Sequence, residues 1–96
     1  MFKHVIMWKV EESPISKEET CKKIKELLES LNGKIPGLIN IDVGINTLDV
    51  ENTFDVVFTG TFESKEAYVA YGQHEEHAKI VPFFKTIKLG RAIVDY

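Results

Sequence analysis

Residues 2–10, Phe-Lys-His-Val-Ile-Met-Trp-Lys-Val, alternate as a strand does, yet apolar side chains fall on both faces. Phe2, His4, Ile6, Trp8 and Val10 share one side; Lys3, Val5, Met7 and Lys9 share the other. A strand that is apolar on both sides must be covered on both sides. The segment therefore predicts a central strand with one layer packed on each face of its sheet. A chain of 96 residues is a single domain, 1–96, and has few residues with which to build both layers. A second copy of the chain is the economical source of the missing one.

The remaining elements follow from periodicity and caps. Ser16-Lys-Glu-Glu19 is a capping box, and it opens a helix over about Lys17 to Asn32. Cys21, Ile24, Leu27, Leu28 and Leu31 form its apolar stripe, and Gly33 suits a left-handed cap. Leu38 to Thr47 alternates with one polar face, as an edge strand does. Ile39, Ile41, Val43 and Ile45 lie on its apolar side. Residues 53–62 form the next strand. Ser64 caps a second helix, which Gly72 should bend before it restarts near His74. Pro82 predicts a kink or a further restart. Ile87 to Tyr96 is the last strand, with Gly90 a candidate bulge. The order β-α-β-β-α-β implies a ferredoxin-like α+β fold with both helices on one face of an antiparallel sheet. Val5, Met7, Val57, Ala92 and Val94 are left for the other face. Two such sheets packed face to face make a homodimeric α/β barrel.

Composition narrows the function classes. A net charge of −3, with lysines scattered along helix faces, gives no basic footprint for nucleic acid, and no nucleic-acid partner is expected. The single cysteine, Cys21, allows no internal disulfide and fits a reducing compartment. No apolar run is long enough to span a membrane, and the N-terminal residues do not read as a signal peptide, so a cytoplasmic location is expected.

Chemistry-bearing residues concentrate in Tyr71-Gly-Gln-His74-Glu-Glu-His77 and in the apolar run that follows. His77, Ile80, Val81 and Phe84 recur at helical spacing, which puts His77 on a buried stripe. A histidine there can act as a general base or acid. A tyrosine can donate its phenolic proton to a developing oxyanion. The plainer alternatives are a core-edge histidine satisfied by backbone or water, and an amphipathic tyrosine at a helix end. On an unbroken helix, Tyr71 and His77 would point about 120° apart, so a shared site requires a break between them. His4 joins them if its strand face meets the helices, and not if that face meets a partner sheet. His74-x-x-His77 beside Glu75 and Glu76 invites a metal, but the spacing matches no dedicated zinc motif, and neither metal nor cofactor is expected. Arg91 and Asp95 share a strand face and could pair structurally, and Cys21 is read as a small buried hydrophobe.

Lys3-His-Val-Ile-Met-Trp-Lys9, Thr61-Phe-Glu-Ser64, Tyr71-x-x-His74-x-x-His77 and Val94-Asp-Tyr96 together resemble the stress-responsive α/β-barrel (Dabb) family, in register over essentially the whole chain. The resemblance implies a homodimeric barrel. In the branch that includes olivetolic acid cyclase, a tyrosine–histidine pair and a first-strand histidine perform an aldol condensation. Those positions match Tyr71, His77 and His4. Where the family usually reads His-Pro-x-His, this chain has Glu75-Glu76. The expectation is a small, largely apolar ligand held between helices and sheet by Ile6, Trp8, Val81 and Phe84, with aldol- or Claisen-type chemistry. The competing expectation is a non-catalytic dimeric ligand-binding protein. An open cavity beneath His77 separates them, and Trp8 and Phe84 filling that space would exclude a reaction.

Overall fold

The computed structural model describes residues 1–11, 14–87 and 89–96. Glu12 and Ser13 of the expected first loop, and Lys88 of the expected last strand, lie outside the described residues. The elements are β1 (Phe2–Val10), α1 (Lys17–Glu29), β2 (Leu38–Ile45), β3 (Val56–Phe62), α2 (Lys65–Gln73), α3 (Glu75–Lys85) and β4 (Leu89–Asp95). The four strands form one antiparallel sheet in the order β2-β3-β1-β4, with β1 inside it as its two apolar faces require. This is the ferredoxin-like α+β arrangement.

The helices cover the face that carries His4, Ile6, Trp8 and Val10, all of which are buried. Phe58 and Phe62 of β3, Ile24 of α1, Leu31 in the turn after α1, and Val43 of β2 form the most deeply buried part of the core. On the opposite face Met7, Val57, Ala92 and Val94 are exposed and Val5 is half-buried. No helix among the described residues is long and apolar enough to cross a membrane.

Caps act where the sequence places them. The Ser16 Oγ accepts from the Glu19 N–H at 3.2 Å, and the Ser64 Oγ accepts from the Ala67 N–H at 3.1 Å. The α1 helix ends at Glu29, short of Asn32, because i→i−3 turns take over: Leu31 and Asn32 donate to Leu28 and Glu29. Gly33 then adopts the left-handed conformation, with φ 81°. Gly37 shares that φ, and a Cβ there would lie 2.7 Å from the Ala67 Cβ, so the turn into β2 admits only glycine.

Four local expectations are corrected. Ile39 is exposed rather than on the apolar side, because a register irregularity between Leu38 and Asn40 turns it outward. Gly90 makes no bulge and pairs regularly with Lys9. Pro82 lies inside a continuous α3 without a restart, at the cost of the hydrogen bond its missing N–H would give Ala78. The interruption before α3 is at His74, not Gly72, which is an ordinary residue of α2.

Candidate functional site

The break at His74 has a local cause. His74 takes extended angles (φ −75°, ψ 145°), ends α2 and serves as the N-cap of α3, its Nδ1 accepting from the Glu76 N–H at 3.0 Å. Glu75 and Glu76 follow in the first turn, where carboxylates suit the positive end of a helix. The Glu76 carboxyl is held below its usual range chiefly by its hydrogen bond to Lys79, at 3.1 Å. This turn re-aims the chain so that Tyr71, in the last part of α2, and His77, in the first of α3, face each other. Their rings meet edge to face with centroids 4.8 Å apart.

His4 reaches the same place from the sheet. It lies opposite Gly60 of β3, whose missing side chain leaves room for the Phe58 and Phe62 rings. Its ring stands 4.6 Å from Tyr68 and 5.7 Å from Phe58. On its other flank it lies opposite Asp95 of β4, and His4 Nδ1 is hydrogen-bonded to Asp95 Oδ1. A carboxylate only accepts, so Nδ1 carries the proton and Nε2 is the nitrogen left for a ligand. Asp95 therefore pairs with His4 and not, as the shared strand face suggested, with Arg91. Four residues along a strand is roughly 13 Å, beyond the reach of an ion pair.

These groups border one cavity of about 580 Å³ between the sheet and α2 and α3. His4, Tyr68, Tyr71 and His77 line it, with Ile6, Trp8, Val81 and Phe84 among the apolar walls. Trp8 and Phe84 lean on each other, with centroids 5.6 Å apart, and leave the space open. Burial, and then the electrostatic effect of His4, lowers the His77 pKa. The His77 imidazole is thus held neutral, with a nitrogen able to take a proton. Burial, and then neighbouring Tyr68, raises the Tyr71 pKa far above the usual phenol value, which keeps it a donor. Tyr68 is raised too, by burial and then by Asp95.

Tyr68 and Asp95 were not foreseen as parts of this site. Tyr68 lies three residues before Tyr71 on the same helix face and reads as core in sequence; Asp95 depends on strand register. Cys21 is buried, and burial raises its thiol pKa, so it stays an unreactive hydrophobe away from the cavity. Among the described residues, no three His, Cys, Asp or Glu side chains are grouped to hold a metal ion.

A four-stranded antiparallel sheet with helices on one face and a cavity between them defines a ferredoxin-like α+β domain. The family model of the stress-responsive A/B barrel domain (Dabb) matches residues 2–96, and the chain belongs to that family. A dimeric protein of ferredoxin-like fold from Bacteroides fragilis is 28% identical, with a TM-score of 0.81 over 99% of this chain and 93% of its own. A dimeric ferredoxin-like protein from Thermobifida fusca is 16% identical, with a TM-score of 0.82 over 99% of this chain and 88% of its own. A hydroxynitrile lyase from Passiflora edulis is 15% identical, with a TM-score of 0.77 over 99% of this chain and 90% of its own. No curated protein matches the sequence.

Proposed function

We propose that the protein binds a small, largely apolar carbonyl compound in this cavity and performs acid–base chemistry on it, of the aldol or Claisen cyclisation type. The observation that carries the reading is the convergence of His4, Tyr71 and His77 on one open cavity of about 580 Å³. That volume falls within the roughly 300–1,000 Å³ of small-molecule sites. His77 takes a proton from the carbon beside a carbonyl, and the Tyr71 hydroxyl hydrogen-bonds the enolate oxygen. The carbanion adds to a second carbonyl of the same molecule, forming the carbon–carbon bond. The imidazolium returns its proton to the new alkoxide. His4, oriented by Asp95, presents Nε2 as a further polar contact. The fold is shared with a hydroxynitrile lyase, so the architecture accommodates catalysis in at least one other protein.

Turnover of linear β-polyketo substrates tests this. His77→Ala and Tyr71→Phe should each lose roughly 10²–10⁴-fold in rate. Equal rates in wild type and His77→Ala would remove His77 from the mechanism. Saturable binding with no turnover would leave a non-catalytic ligand-binding protein.

The same reading includes a homodimer through the outer face of the sheet. Met7, Val57, Ala92 and Val94 lie exposed there, and the Bacteroides and Thermobifida proteins are dimeric. Sedimentation should give twice the 11.0 kDa protomer mass; a lone 11.0 kDa species would refute the pairing.

A further inference from the structure

The cavity has two unlike ends. At one stand His4, Tyr68, Tyr71 and His77; at the other stand Lys85 and Arg91, with Trp8, Phe84 and Val81 among the walls between. The separation can be measured along two independent elements. Arg91 lies opposite Trp8, four residues down β1 from His4, which is roughly 13 Å of strand. Lys85 ends α3, eight residues beyond His77, which is roughly 12 Å of helix. Sheet and helix thus place a cation at the same depth on opposite walls of the cavity.

Neither cation is neutralised by a side chain among the described residues. Among the described residues, no hydrogen bond or ion pair engages Lys85 or Arg91, and no carboxylate lines the cavity. Asp95, which shares the helix-covered face of β4 with Arg91, is committed to His4. Arg91 lies on the helix-covered face of the sheet, so a partner protomer docked on the outer face would leave it facing the cavity.

We infer that the ligand is elongated and carries an anionic head, a carboxylate, which Lys85 and Arg91 receive while its far end lies between Tyr71 and His77. This rests on the binding reading above and adds the class and direction of the ligand. Arg91 offers a planar fork that matches a carboxylate, and Lys85 offers a mobile point charge. Anchoring the head sets which carbon reaches His77, so the two cations would act as positioning residues for the reaction.

Trp8 is the only tryptophan and forms part of the cavity wall, so its fluorescence reports occupancy directly. Titration compares decanoate, decanol and decyltrimethylammonium, which share a chain and differ in head charge. Decanoate should bind roughly three- to tenfold tighter than decanol, and the ammonium more weakly than either. Added salt should narrow that preference. In Lys85→Gln/Arg91→Gln the decanoate preference should vanish while decanol binds as before, which also verifies that the variant is folded. Each single variant should lose part of it. Equal binding of decanoate and decanol by wild type, or an intact preference in the double variant, overturns the anion site and leaves the cavity reading standing. Failure of all three probes to bind overturns both.

Discussion

The two ends of the sheet are covered differently. Toward β2, Ile24 and Leu28 of α1 and Leu31 just after it join Ile41, Val43, Phe58 and Phe62 in one core cluster, all buried. Polar ties reinforce that contact. Asn32 exchanges two hydrogen bonds with Ile41, at 3.0 and 2.8 Å, and Glu29 accepts from the Val43 N–H at 3.0 Å. Over β1 and β4, α2 and α3 stand off and enclose the cavity, and every β4 residue beyond Leu89 is exposed. One half of the domain is therefore packed for stability, and the other gives up contacts to keep a space. Side chains around a void have neighbours on one side only, so their truncation costs less than truncation in the packed half.

The sharpest test pairs two phenylalanines. Phe62 is fully buried; Phe84 is half-buried on the cavity wall. Phe62→Ala should destabilise by about 3–5 kcal/mol and Phe84→Ala by roughly 1–2 kcal/mol, read from denaturant midpoints. Equal losses would break the distinction between the halves.

The cavity side should carry a pH signature in the histidine range, whereas that of the packed side falls in the carboxylate range, where the hydrogen bond from Lys25 holds Glu29 below its usual value. Burial lowers the folded-state pKa of His77 below its ordinary 6.5. As pH falls through that range the unfolded chain takes up a proton that the native site resists, so stability drops. The contribution is whole above the unfolded value and is lost as pH falls through the folded one. His77→Gln should flatten the decline that begins as pH falls through the ordinary histidine value, read by chemical denaturation at a series of pH values. A decline parallel to wild type would assign it to other groups.

How much of this was legible in sequence divides along the same line. Period-2 and helical patterns placed the strands, the central β1 and the α1 stripe, because burial of one face is a local constraint that side chains must obey. The Ser16 and Ser64 caps are equally local. The His4–Asp95 pair is not, since it joins residues at opposite ends of the chain through the β1–β4 register. The outward turn of Ile39 depends on a slip against β3 that no residue type near it announces. The emptiness of the cavity is a property of how far α2 and α3 stand from the sheet, and periodicity carries no information on that distance. Even the helix break was misplaced by two residues, because glycine is a general weakener, whereas an N-cap histidine acts only through the bond it makes.

That misplacement yields the smallest but cleanest effect. Were Gly72 the bend that brings Tyr71 to His77, a side chain there would disturb the site. In the structure Gly72 is helical, its φ is not positive, and a Cβ would meet nothing within 4 Å. Gly72→Ala should therefore stabilise the fold by about 0.5–1 kcal/mol, through helix propensity and a less flexible unfolded chain. His74→Ala should do the reverse by about 1 kcal/mol, since it removes the acceptor for the Glu76 N–H. Opposite signs at two positions so close together place the hinge of the site at the cap. A destabilised Gly72→Ala would return it to the glycine.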